Sequence, residues 1–452
     1  MKVISEIKKL FAITGLFLSV FCAWPQDFYW DDPETVSRGD ARFCKAVSNG
    51  SDSYAFWQEI DKAKKSIYIS VRYKNSEGVW VNNDKFAGPF SYSGEIPDIY
   101  SAAVSSAGTV VLAALSSGNR ISTFVSNDRC RSFRRYDFPN ENAEYLAPRI
   151  FATESGQFLL FCSAAKQSYI GGARNVSTHN FYINGAVSSD GLHWSNFKQI
   201  FSGDSYKNSF SPAVASNSQG TFLVFQCQYQ QKNLITYQIY SSCSTDDGKN
   251  WSDPVLISDE NSFETREPDY LNYDNQLPNA FSYDDEIHVA WERNNPGAED
   301  AKICYLRINK GGVIPRSAEL IAEEGNARGV VLFSIDDDIY ASWYARNGST
   351  ESVFYAVKDG FTWKKTQVET GKNRCSNPFP LKEERAVAFI WQEAEKNDRY
   401  RIRFLAPDTA CASASVSCEK ISEGSRTRSQ KAKFKVSLPK DSSGVDGYVY
   451  SL

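Results

Sequence analysis

Within Glu264-Thr265-Arg266-Glu267-Pro268-Asp269-Tyr270, three carboxyls, a guanidinium and a phenol fall inside one short polar stretch. Hydrolysis of a glycosidic bond needs two carboxyl groups about 5 to 10 Å apart across a cleft. Glu264, Glu267, Asp269 and Glu292 supply enough of them, while Tyr169, Tyr270 and Tyr273 either stack on sugars or pack a rim. Arg72, Arg149, Arg293, Arg346 and Glu393 are further candidates for ligand contact, because each stands near the end of an apolar stretch or in a connection. Other chemistries are poorly provided for. With 3 His there is no credible Ser/His/Asp set, and no glycine loop for phosphates is present. No Cys-x-x-Cys pair or Cys/His cluster has metal-ligand spacing, so neither metal nor cofactor is expected. A net charge of −4 with mixed signs gives no basic surface for nucleic acid.

Such groups act only if a scaffold gathers them, and the scaffold is written in repeats. Ser244-Thr245-Asp246-Asp247-Gly248-Lys249-Asn250-Trp251 is a polar turn closed by a large aromatic and followed by the apolar run Val255-Leu256-Ile257. Asp and Ser side chains can bond nearby amides, Gly248 can take φ > 0, and Trp251 can plug the turn from below. Asp190-Gly191 with Trp194 and Asp359-Gly360 with Trp363 repeat the theme, and Asp128 keeps it in a form that has lost the glycine. A degenerate copy is expected near Lys310-Gly311-Gly312.

A second repeat places an anchor 13 residues before an aromatic: Pro148 with Phe161, Pro212 with Phe225, Pro278 with Trp291 and Pro378 with Trp391. Val330 with Trp343, Tyr100 with Ala113, and Gln58 with Val71 are weaker copies, making seven units. Each unit has room for four short strands in roughly 50 residues, which is the size of a propeller blade. One such sheet cannot cover both of its faces, so neighbours must, and the units close into a ring. The last unit lacks its outer strand, and Trp30-Asp31-Asp32-Pro33 resembles Trp251-Ser252-Asp253-Pro254. The N-terminal segment is therefore expected to supply that strand and hide the open edge.

The turns resemble the Asp box, the bacterial-neuraminidase repeat of sialidases and of many non-sialidase β-propellers. The resemblance covers residues 27–408. It implies an all-β, seven-bladed propeller (six blades being the alternative) in which Asp128, Asp190, Gly191, Trp194, Asp247, Gly248, Trp251, Asp359, Gly360 and Trp363 are structural and the opposite face recognises ligand. A sialidase-like activity would imply an arginine clamp for a sugar carboxylate, here Arg266, Arg328 and Arg374, with Glu267 and Tyr270 as the nucleophilic pair. Two features depart from that family. Its Arg-Ile-Pro signature is missing from the first blade, Ala147-Pro148-Arg149-Ile150 only approaching it in the third unit, and its enzymes have six blades. The preferred expectation is a ligand-binding or protein-interaction scaffold for a glycan or an envelope protein, with a sialidase-like glycoside hydrolase as the alternative.

Lys2, Lys8 and Lys9 precede the apolar run from Phe11 to Ala23, the pattern of a secretory signal over residues 1–23, with Cys22 as an alternative lipidation site. No other run is long enough to span a membrane. Export permits disulfides, with Cys227 to Cys243 and Cys411 to Cys418 as the pairs considered against buried free thiols. After about residue 408 the composition shifts, and 409–452 reads as a tail or a partial immunoglobulin-like module.

Overall fold

The computed structural model describes residues 30–49, 51–75, 77–116, 120–139, 143–170, 173–176, 180–201, 206–231, 234–258, 273–295, 300–309, 312, 318–360, 362–368, 373–383, 386–407, 415–418 and 434–437. Asp32–Ala406 is one compact unit, a seven-bladed all-β propeller. Six blades are antiparallel sheets built from consecutive strands, within residues 40–91, 100–137, 143–199, 209–256, 274–322 and 328–367. The third also carries Ala173–Val176 as an extra strand on the extended Phe158–Ile170. The seventh joins Cys375–Lys382, Val387–Ala394 and Tyr400–Leu405 to Glu34–Thr35 from the other end of the chain, with Glu34 opposite Phe404 and Thr35 opposite Arg403. The expected closure is thus present, and the bond from Val36 N to Ile402 O extends it. In a second unit, Ser415–Cys418 pairs with Phe434–Ser437 as a short C-terminal β extension.

Burial on both faces explains the apolar second strands. Along Glu286–Asn294, Ile287, Val289 and Trp291 enter the layer shared with the fourth blade, while Ala290 enters the layer shared with the sixth. Successive side chains of a strand point to opposite faces, so one blade feeds two interblade cores.

The anchor repeat has a specific cause. Innermost strands in six blades carry a β-bulge, at residues 43–44, 147–148, 211–212, 277–278, 329–330 and 377–378. Its first residue lies at positive φ in Phe43, Ser211, Leu277, Gly329 and Asn377. Its second escapes the ladder, which is why proline is accepted there. The residue after the aromatic then reaches into the next blade. Gln392 Oε1 accepts from Phe43 N at 2.9 Å, Gln58 Oε1 from Ile99 N at 2.9 Å, Gln226 Oε1 from Leu277 N at 2.8 Å, and Glu292 Oε1 from Gly329 N at 2.8 Å. Anchor, aromatic and this acceptor together form an interblade staple.

That geometry corrects the first unit. Its bulge is Phe43-Cys44 and its aromatic is Trp57, 13 residues on, so Gln58 is the acceptor and not the anchor. The expected pair, Gln58 with Val71, lies one strand too late.

The polar turns close the third strands. Ser244 Oγ accepts from Gly248 N at 2.9 Å, Asp246 Oδ1 accepts from Asn250 N at 2.8 Å, and Trp251 Nε1 donates to Gly248 O at 3.1 Å. Asp190 and Asp128 do the same in their blades, with Cys130 in the glycine position at φ 59°. The acid in the 244–251 turn is therefore Asp246. Asp247 instead accepts from Ser155 Oγ of the preceding blade at 2.9 Å. Asp359 to Trp363 is not such a turn. Asp359 pairs directly with Thr362 and Lys358 with Trp363, a tight hairpin that leaves Trp363 edge-on to Tyr305. The copy expected at Lys310-Gly311 lies outside the described residues.

Cys227 and Cys243 are both free. Cys227 is paired with Gln238 and Cys243 with Phe222, so the hairpin is centred earlier than the midpoint between the cysteines. Their side chains enter different interblade layers, on opposite faces of the sheet. Cys22 and Cys411 fall outside the described residues, as does the side chain of Cys418.

Candidate functional site

The first and third strands begin, and the second strands end, at the rim opposite the polar turns. Between the sixth and seventh blades this rim holds a recess of about 400 Å3. Arg328 enters it from the start of Arg328–Ile335, Tyr344 and Arg346 from the end of Asp338–Asn347, and Glu351 from the start of Thr350–Asp359. The seventh blade contributes Arg374, Ser376, Ala394 and Tyr400.

Arg328, Arg346 and Arg374 bring their guanidinium groups to this recess, where carboxylates fix the geometry of the first and the last. Arg374 donates Nε to Glu351 Oε2 at 3.0 Å and Nη2 to Oε1 at 3.2 Å, the bidentate fork that fixes a planar cation. Arg328 donates Nη1 to Glu292 Oε2 at 3.2 Å and Nε to Asn326 Oδ1 at 3.2 Å. Glu292 is only 2% exposed. Burial pushes its carboxyl above the usual range, against the opposing pull of Gly329 N and Arg328. Burial is also the main cause that lifts the Tyr344 phenol to about 12, with Glu292 adding to it. At neutral pH that hydroxyl is a hydrogen-bonding group and not a phenolate. Gly329 suits this place, because at φ 67° a Cβ would crowd the Tyr344 ring at 3.0 Å.

Tyr400 forms the far wall, with the Arg42 guanidinium 4.6 Å from its ring centroid. The Arg42 side chain is also tied to Asp398 O at 2.6 Å. The recess is thus a surface of three arginines and two tyrosines in which Glu351 is the lining carboxylate and Glu292 lies behind Arg328. Forked donors and aromatic edges suit an oxyanion on a polar body.

Of the residues expected from sequence, Arg328, Arg346 and Arg374 are brought together here, and Glu292 stands behind them. Arg149 lies apart at the ring axis, 3.8 Å from Asp98. Arg293 is buried against Asn275 at 3.3 Å and 5.7 Å from the Tyr273 ring centroid, so it serves the fifth blade. Glu393, also buried, accepts from Asn373 at 2.7 Å and lies near Arg401 and Arg403 inside the seventh blade. Arg72 is the clearest correction. It sits on a third strand at the closure, paired with Glu34 and 4.4 Å from the Phe404 ring centroid. The shifted first unit had placed it at the wrong end of the blade. Glu264, Arg266, Glu267 and Tyr270 lie outside the described residues.

Sequence reasoning passed over Tyr344, Glu351 and Tyr400. Tyr344 was findable, since it follows the aromatic Trp343 and so occupies the staple position. Among the described residues no His, Cys, Asp and Glu group is arranged to hold a metal, and no helix is long and apolar enough to cross a membrane.

No family model matches the chain, and no curated protein matches it. Among solved structures it is similar to a protein of unknown function from Dyadobacter fermentans, at 11% identity over 83% of this chain and 98% of that one, with a TM-score of 0.49. It is also similar to the Trypanosoma rangeli sialidase in complex with sialic acid, at 12% identity over 81% of this chain and 54% of the other, with a TM-score of 0.41. A thermostable family-43 glycoside hydrolase matches at 13% identity over 62% of this chain and 99% of that one, with a TM-score of 0.38. The chain spans about half the length of the sialidase it matches.

Proposed function

We propose that this propeller is an exported binding module whose polar rim captures a ligand bearing an anionic group, carried by a glycan or an envelope protein. The observation that carries the reading is the meeting of Arg328, Arg346 and Arg374 around one recess walled by Tyr344 and Tyr400. The carboxylates beside them, Glu351 and Glu292, are committed to holding arginines. That commitment supports capture over hydrolysis.

The hydrolase remains the second reading, favoured by the one feature it shares with binding, a guanidinium cluster suited to a carboxylate. On the same view the turns at Ser126, Ser188 and Ser244 are Asp boxes, their hydrogen bonds supporting the assignment, and residues 1–23 direct export. The propeller then occupies 27–408, with 409–452 as an appended tail.

A glycan array and a pull-down from envelope extracts test the first reading. Charge reversal in R346E should weaken capture at least about tenfold if this guanidinium meets the anion. Binding that is indifferent to R346E and R374E alike would mean that the rim does not make the capture. A fluorogenic sialoside and a panel of aryl glycosides test the second. Turnover by the parent that is lost in R374A would establish an enzyme.

A further inference from the structure

The ring axis holds a second cavity, of about 340 Å3, at the level of the bulges. Its walls divide by chemistry. Leu277, Pro278, Pro212, Val330, Val331 and Phe379 make an apolar lining, and Lys45, Asp98 and Arg149 stand together in the same cavity.

Leu277 is the anomaly. It occupies the first bulge position at φ 51°, a conformation that glycine and asparagine adopt most readily and that is an outlier for a bulky side chain. The equivalent residues are Gly329 in the sixth blade and Asn377 in the seventh, the latter also at φ 51°. Phe43, another bulky residue at this position, recovers its cost by packing against the core of the first two blades. Leu277 does not, being 48% exposed and open to the axial cavity. Positive φ belongs to the bulge in five blades, but a bulky and exposed hydrocarbon placed on it is a double cost that the fold does not require, and such costs collect at binding sites.

The charged wall complements it. Lys45 is bound to Asp98 at 2.5 Å and to the Tyr100 carbonyl, so its charge is matched. Arg149 approaches the same carboxylate only to 3.8 Å, and its Nη1 reaches Pro148 O at 3.3 Å. Two cations around one carboxylate leave an excess positive charge beside the hydrocarbon. Glu292 also lines the cavity, but its carboxylate is answered from outside the lining by Arg328 and accepts from Gly329 N, so it does not cancel that charge.

From this juxtaposition we infer that the axial cavity binds a small carboxylic acid with an apolar body, Leu277 meeting the hydrocarbon and Arg149 the carboxylate. The volume lies at the small end of the range for ligand pockets. This site touches the arginine recess only through the Glu292 and Arg328 pair and does not depend on what that recess captures.

Phenylacetate is a suitable probe, with acetate and 2-phenylethanol as its two halves, titrated calorimetrically into the full-length protein. Phenylacetate should bind saturably at one site and more tightly than either half. L277N places the residue of the equivalent bulge at this position. It should reduce phenylacetate affinity at least about fivefold by removing apolar contact, while raising Tm by about 1 °C or more through relief of the bulge. R149Q should reduce phenylacetate affinity and leave binding of 2-phenylethanol unchanged. Failure of phenylacetate to bind the parent would overturn the inference. So would undiminished affinity in L277N or R149Q, or acetate binding as tightly as phenylacetate.

Discussion

Glu292 shows how one atom changes a residue's role. Gln58, Gln226 and Gln392 occupy the corresponding position and accept the interblade amide with an uncharged oxygen. The carboxylate at 292 does the same for Gly329 and uses its second oxygen to hold Arg328. E292Q should therefore keep stability within about 1 kcal/mol of the parent while loosening Arg328, seen as weaker ligand capture with a nearly unchanged urea midpoint. E292L, which strands the Gly329 amide and a guanidinium, should cost about 2 to 3 kcal/mol in the same urea titration. His288 carries a pH dependence. Burial between Phe281 and Tyr305, with Arg307 and Lys358 nearby, lowers it from 6.5 to about 4. Well above pH 6.5 neither folded nor unfolded imidazole is charged. As pH falls from 6.5 towards 4 the unfolded chain takes up a proton that the fold refuses, so stability is lost, by up to about 3 kcal/mol. Unfolding midpoints measured across that window should slope steeply in the parent and less in H288Q.

At the scale of the element, the polar turn tests which acid matters. Asp246 accepts from both the amide and the side chain of Asn250, and the carboxyl is lowered by those bonds. Asp247 instead accepts from Ser155 of the neighbouring blade. D246A should destabilise by about 1 to 2 kcal/mol and D247A by less than half of that. Equal losses in thermal unfolding would mean that the turn is not organised by Asp246. The sequence displayed both acids side by side, and spacing alone did not separate them, because the choice follows from which residue takes φ > 0. Asp247 does so at 59°, which carries its carboxyl away from the turn. The staple was half legible in the same way. Its 13-residue period was visible, whereas the acceptor that follows the aromatic emerged only when the bulge amide was seen pointing at it. In the first blade the anchor is Cys44 and not a proline, so the period was picked up one strand late and took Arg72 with it.

At the scale of the molecule, the ring is closed by two residues of ladder, Glu34 and Thr35, reinforced by Val36, by Ser37 Oγ accepting from Ile402 N at 3.0 Å, and by Arg403 bonded to Thr35 and Pro33. Deleting residues 27–40 should lower Tm by about 5 °C or more, since it opens the edge of the seventh blade and uncovers the layer around Val36 and Phe404. A truncated chain as stable as the parent would show that the seam bears no load. The repeat count, the strand-rich blades and the closing strand were determined by the sequence itself, because turn chemistry and strand alternation are local and declare themselves within a few residues. The recess was decided by tertiary structure alone. Arg328, Arg346 and Arg374 are separated along the chain and carry no common motif. Arg328 and Arg346 stand at the same end of paired strands in the sixth blade, and packing of the seventh blade against it brings Arg374 to them.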